Sequence, residues 1–249
     1  MFIEHSTFNQ PEDENISIWR YMDFTKFVSL IDKSSLFFAR ADTFKHPFEG
    51  SYPRINVEAR KSIFNTVEDK KSIPKKMVSL STIYVLWPRY TAINCWHVNE
   101  YESAAMWNLY LKTNKGIAIR TTYNLLKESI VDKEDVHLGL VKYIDYNKEY
   151  INANNCFEPF VHKRKSFEHE REIRAIVGKN PSDDNGIDFS IENIDSGLYI
   201  KVDLNVLISQ IIVAPDSPKW FKELVSSILN KYGFYYTLGQ SMLNEDPLF

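Results

Sequence analysis

The residues best suited to chemistry fall in one stretch, Phe160-Val-His-Lys-Arg-Lys-Ser-Phe-Glu-His-Glu-Arg-Glu-Ile-Arg-Ala-Ile-Val177. Its second half alternates, with Ile173, Ala175 and Val177 to one side and Glu172 and Arg174 to the other, which is the period of a strand with one apolar face. Its first half spaces Phe160, Arg164, Phe167 and Arg171 along one stripe of a helix. A basic helix running straight into a strand would bring Glu170, Glu172 and Arg174 together near the strand's start. Charges at that density are costly to bury unless they are paired or used. The plainer reading is a solvated strand edge with a ladder of surface ion pairs. The sharper one is a carboxylate pair with aromatic walls. Such a pair suits a cationic or oxocarbenium-like transition state: one glutamate holds a sugar hydroxyl while the other stabilises developing charge.

The elements around this stretch are legible from spacing. Ile16 to Tyr21 reads as a strand that would set Arg20 and Tyr21 at its end, and Asp23 caps a helix whose Phe24, Phe27, Val28 and Ile31 follow the i, i+3, i+4, i+7 rule. Leu36 to Ala39 forms the next strand. Phe44 to Gly50 is a turn punctuated by Pro47 and Gly50, in which Glu49 serves a lid more readily than a catalytic loop. Residues 52–88 read as a basic, helical insertion. Tyr90 to His97 is a strand, and a helix beginning near Ser103 carries Met106, Trp107 and Tyr110. Further strands are expected at Gly116–Thr121, Gly139–Ile144, Leu198–Val202 and Ile208–Val213, with a short helix at Tyr123–Glu128. Ser217-Pro218 opens a last helix bearing Trp220, Leu224, Ile228 and Leu229; it stops at Gly233, before a short strand at Phe234–Thr237.

The 249 residues suffice for one large core, with 44% hydrophobic and 14% aromatic residues. The formal net charge of -3 provides no global field toward nucleic acid, although a local basic groove is compatible with it. Two cysteines, Cys95 and Cys156, give neither a disulfide framework nor a metal knuckle. Residues 1–15 are polar and acidic, without the apolar run of a signal peptide, and Met77 to Trp87 is too short and interrupted to span a bilayer. These features fit a reduced, cytoplasmic setting. The expected organisation is a flexible segment at 1–15, then one α+β domain over 16–249 with a central mixed or antiparallel sheet flanked by helices. Neither a Gly-rich phosphate loop nor a G-x-S-x-G elbow occurs, and His169-Glu170 lacks the second histidine of H-E-x-x-H.

Trp19-Arg-Tyr21, Phe44-x-x-Pro-Phe-Glu-Gly50, Cys95, Ser103-x-x-Met-Trp-x-x-Tyr110, Gly116-Ile-Ala-Ile and Phe167-x-x-Glu-x-Glu-x-Arg174 occur in that order. Together they resemble the bacterial domain-of-unknown-function 2971 family over roughly residues 16–215, with His46 where an Asp is expected. In layout the chain is also similar to ADP-ribosyltransferases of the DarT type. That likeness implies NAD as substrate, no metal, and a cytoplasmic toxin or phage-defence effector acting on nucleic acid or protein, with an antitoxin or defence-system partner. It implies Glu172 as the catalytic carboxylate with Glu170 as its partner. It also implies Arg20 and Tyr21 at the NAD phosphate or ribose, Trp107 or Tyr110 against nicotinamide, and Arg174 beside them. Two other readings compete: a Mg-dependent nuclease using Glu49, Glu170 and Glu172 with Lys163 or Lys165 near the phosphate, and a non-catalytic binding module in which the glutamates pair with Lys163, Arg164 and Arg174.

Overall fold

A computed structural model describes residues 1–249 except 47, 66–81, 112, 154, 184–185, 246 and 248–249. The strands are β1 (Ser17–Asp23), β2 (Ser35–Arg40), β3 (Thr91–Val98), β4 (Gly116–Thr122), β5 (His137–Leu140), β6 (Lys142–Ile144), β7 (His162–Arg164), β8 (Glu172–Gly178), β9 (Ser182–Asp183), β10 (Gly186–Ile187), β11 (Gly197–Lys201), β12 (Gln210–Val213) and β13 (Leu238–Gln240). The helices are α1 (Phe24–Lys33), α2 (Arg54–Asn65), α3 (Ala104–Tyr110), α4 (Tyr123–Ser129), α5 (Leu204–Leu207) and α6 (Lys219–Lys231). Nine strands form one sheet, antiparallel throughout apart from the β12–β13 pair. The chain is α+β, as composition and periodicity suggest.

The sheet branches at β3. One edge of β3 pairs with β8 along its whole length, from Thr91 opposite Gly178 to His97 opposite Glu172. The other edge is shared: β2 takes Ala92 and Ile93, and β1 takes His97 and Val98. Between them Asn94, Cys95 and Trp96 have no strand on that side, so the sheet is split there. Side chains bridge the split. Arg20 Nη1 donates to Asn94 Oδ1 (2.9 Å) and to the Cys95 carbonyl (2.7 Å), while Asn94 Nδ2 donates to the Phe37 carbonyl (2.9 Å).

One face of the sheet carries the main core, where Ile173, Ala175 and Val177 of β8 meet Phe27, Leu30 and Ile31 of α1 and Phe221, Val225 and Leu229 of α6. Asp23 caps α1 through the Lys26 amide, and β1 runs past Tyr21 to Asp23, so Arg20 and Tyr21 lie inside the strand, not at its end. In α6 the buried stripe is Phe221, Val225, Leu229; Trp220 and Leu224 are exposed, and Pro218 rather than Ser217 is the N-cap. The last strand forms at Leu238–Gln240, beyond the Phe234–Thr237 segment, where it pairs with β12. Of the expected 52–88 insertion, α2 is helical, and residues 66–81 lie outside the described residues.

The helix expected over Phe160–Arg171 does not form. Two 3-10 turns, Glu158–Phe160 and Lys165–Glu170, flank β7, whose backbone pairs in parallel with β6. Pairing with β6 gives that backbone long-range partners, and so overrides the local helical spacing. Residues 1–15, expected to be loose, follow β5 instead: Ile3 donates to the Val136 carbonyl, Leu140 donates to the Asn9 carbonyl (both 2.9 Å), and Phe8 is buried.

Candidate active site

On the sheet face opposite the main core, β8 presents Glu172, Arg174 and Ile176 beside His97, Cys95 and Ile93 of β3. A cavity of about 650 Å³ opens here, within the roughly 300–1,000 Å³ typical of small-molecule sites. It is lined by Arg20 and Tyr21 of β1, Cys95 and His97 of β3, Tyr110 of α3, Glu49 of the turn after β2, and Lys163, Glu170 and Glu172.

Five charges are buried at its floor. Arg174, wholly inaccessible, donates from Nε to Glu172 Oε2 (2.8 Å), from Nη1 to the Phe160 carbonyl (2.8 Å) and from Nη2 to Glu49 Oε1 (3.1 Å), with Nη1 also 2.9 Å from Glu49 Oε2. Lys163 Nζ lies 2.6 Å from Glu170 Oε2, 3.2 Å from Glu172 Oε1 and 3.7 Å from Glu49 Oε1. The Glu172 amide donates to Tyr143 Oη (2.8 Å). The glutamates are therefore not a solvated ladder; each faces at least one cation inside the protein.

The two glutamates of the E-x-E pair titrate apart. Burial tends to raise Glu172, but the guanidinium of Arg174 and then the ammonium of Lys163 more than offset it, so its carboxyl is held well below the usual range. Glu170 is pushed up to about 7, first by burial and then by its hydrogen bond to Glu172. Burial also lowers Lys163, yet Glu172 above all, helped by Glu170, keeps its ammonium charged. Burial, with Glu172 behind it, pushes the Cys95 thiol up to about 12, so it offers no thiolate nucleophile at neutral pH.

The backbone aims these groups by a strained turn. Arg171, between the two glutamates, is left-handed at φ 41, an uncommon conformation for a non-glycine residue. Its carbonyl accepts from the Val98 amide (2.9 Å), and the carbonyl of Glu170 accepts from His97 Nδ1 (2.7 Å). Glu49 is brought in by a turn ending at Gly50, φ 68, where a Cβ would collide with the Phe160 ring.

Sequence-expected residues separate into three groups. Glu170, Glu172, Arg20, Tyr21 and Tyr110 line the cavity. Arg174 lies behind Glu172 and does not line it; its guanidinium is spent on Glu172, Glu49 and Phe160. Trp107 does not line it either, because its ring is buried with Trp19, Tyr21 and Met106 and its Nε1 donates to Glu102 (2.8 Å). Lys163 is the central cation, paired with the glutamates as the binding-module reading expects rather than set beside a phosphate, and Tyr143, which accepts from the Glu172 amide, carries no signal in the sequence. The signal for Lys163 was the alternation His162-Lys163-Arg164 before a buried acidic pair.

The nuclease reading loses its ligands here. The oxygens of Glu49, Glu170 and Glu172 already face Lys163 and Arg174, and no group of three or more His, Cys, Asp or Glu that could hold a metal ion occurs among the described residues.

No family model matches the chain, so the likeness to the domain-of-unknown-function 2971 family rests on its motifs alone; no curated protein matches either. Among solved structures the chain is similar to Thermus sp. 2.9 DarT in complex with NAD+, at 7% identity and a TM-score of 0.42, over 94% of this chain and 98% of that one. It is similar to the same protein in complex with ADP-ribosylated ssDNA at 8% identity and a TM-score of 0.41, over 94% and 96%. Among the described residues no helix is long and apolar enough to cross a membrane.

Proposed function

We propose that the protein consumes NAD, transferring its ADP-ribose to a nucleic-acid or protein acceptor or to water. The observation that carries this reading is the pair Glu172 and Glu170 on one cavity wall, the first paired with Arg174 and Lys163 and the second with Lys163 alone, with Arg20 of β1 lining the same cavity. In the reaction the bond between nicotinamide nitrogen and ribose C1′ breaks, and nicotinamide leaves neutral with the electron pair. Positive charge develops on the ribose, where the Glu172 carboxylate stabilises it. The acceptor X–H forms the new bond to C1′ and gives its proton to the ionised form of Glu170, which a carboxyl pushed up to about 7 still populates at and above neutral pH. Arg174 and Lys163 hold Glu172 in place and ionised.

Arg20 fits the diphosphate. It spends only Nη1 on Asn94 and Cys95, and its Nε and Nη2 make no hydrogen bond among the described residues. Those two nitrogens form the side of the guanidinium that meets a phosphate in parallel hydrogen bonds. Tyr110, with half its surface free, supplies an aromatic wall against nicotinamide.

The test is incubation of the pure protein with NAD, with and without oligonucleotide and protein acceptors, and chromatography for free nicotinamide. Release is expected from the wild type and not from Glu172→Gln. No release under any acceptor condition would remove the proposal. A toxin or defence role, with an antitoxin partner, belongs to the same reading and is checked by growth arrest on induced expression, relieved in Glu172→Gln.

A further inference from the structure

The floor of the cavity holds three carboxylates, Glu49, Glu170 and Glu172, and two cations, Lys163 and Arg174. With all five ionised it would carry one net negative charge largely shielded from water, an unfavourable state that a single bound proton relieves. We propose that Glu49 is a positioning residue of this site: as the third carboxylate around two cations it obliges the cluster to keep one proton, and the geometry puts that proton on Glu170.

The allocation follows from who faces whom. Glu172 meets both cations, through Arg174 Nε and Lys163 Nζ. Glu49 meets two nitrogens of Arg174 and lies 3.7 Å from Lys163. Glu170 meets Lys163 alone. Its other neighbours supply no cation: Glu172 from β8, Tyr143 from β6, Tyr110 from α3, and His97 from β3, whose Nδ1 proton is already donated to the Glu170 carbonyl and whose burial keeps the ring neutral. Its own turn adds His169 and Arg171, neither of which forms an ion pair with the Glu170 carboxylate among the described residues. Glu170 is thus the least compensated of the three, sharing Lys163 with Glu172. Without Glu49, Lys163 and Arg174 would balance Glu170 and Glu172 as two full carboxylates, and the proton would leave.

This inference needs no assumption about the substrate. The experiment follows glutamate side-chain carboxyl ¹³C shifts against pH in isotopically labelled protein, with Glu170 assigned from Glu170→Gln. In Glu49→Gln the Glu170 midpoint is expected to fall by about one pH unit or more, a tenfold loss of proton affinity. Glu49→Asp, which keeps the charge, is expected to stay near wild type, and Glu134→Gln, which removes a carboxylate paired with Lys179, to leave it unmoved. An unchanged midpoint in Glu49→Gln overturns the proposal. Should that variant fail to fold, the wild-type titration decides: one cluster carboxyl titrating near neutral pH is required, and its absence is equally fatal. A shifted midpoint in a protein that releases no nicotinamide would sink the NAD reading and leave this one standing.

Discussion

Glu170 and Glu172 are separated by a single residue, Arg171, yet they contribute to stability in opposite pH windows. Glu172 is held below its unfolded value of 4.5, so its contribution is full above that pH and is lost as the pH falls further. Glu170 keeps a proton that the unfolded chain releases above about 4.5, so its contribution is full below that pH and is lost as the pH rises through about 7. His97, His137 and His162, all lowered by burial, oppose this below about 6.5, where the unfolded chain takes up protons that the folded one refuses. The melting temperature of wild type minus that of Glu170→Gln is therefore expected to decline from pH 5 to pH 8. A flat difference would show that Glu170 is ionised throughout. Glu172→Gln is expected to lose NAD turnover by on the order of a hundredfold or more. Its stability should change little, because Glu170 can release its proton and restore the charge balance. Arg174→Met has no such compensation: it leaves buried carboxylates unpaired and is expected to cost about 3–5 kcal/mol in urea denaturation.

The split in the sheet is made by how β3 shares one edge between β2 and β1. Arg20 is the side chain that spans it, so Arg20→Ala should weaken NAD binding with a small effect on folding. Arg20→Lys should do nearly as badly, since an ammonium cannot present two parallel donors to a diphosphate. Unchanged affinity in both, read by titration calorimetry, would take Arg20 out of the site. Helix α3 sets Met106 and Tyr110, one turn apart, on a different side from Trp107. Met106 and Tyr110 reach the cavity, whereas Trp107 is 3% exposed and packed on Trp19 and Tyr21. Trp107→Ala is expected to cost roughly 3–5 kcal/mol, and Trp107→Phe to fold with NAD affinity intact. Weaker binding by a well-folded Trp107→Phe would put the indole back at the nicotinamide.

Across the whole molecule, the inner face of the sheet packs α1 and α6 into the main core and the outer face carries the charged cluster, while the cavity touches both, being lined also by Met22, Leu30, Leu36 and Trp96 of the core. The outer β5 edge of that sheet is covered by the first ten residues, through Ile3, Phe8, Asn9 and Gln10. Deleting residues 1–10 would expose β5 backbone groups and the apolar surface under Phe8. A bare strand edge invites pairing with other chains, so lower thermal stability and concentration-dependent association in light scattering are expected. A monomeric deletion variant with wild-type melting would contradict this role for the segment.

The sequence by itself determined the alternation of β8, the capped helix after Asp23, the strands from β1 to β4 and the α+β class. These depend on period and on local hydrogen-bonding preferences, which are written in neighbouring residues. It brought Glu170 and Glu172 together at the start of β8, while Arg20 was named with them only by the likeness in layout, and all three line one cavity. The tertiary structure decided the rest. The Phe160–Arg171 segment follows helical spacing, but its His162–Arg164 part pairs with β6, because long-range backbone bonds outweigh a weak local preference. Glu49 reaches Arg174 across 125 positions of sequence, and Lys163 turns inward where a charge run would ordinarily be solvated. Whether a carboxylate is paired, protonated or free depends on which cations the fold sets within about 4 Å of it. No spacing along the chain encodes that distance.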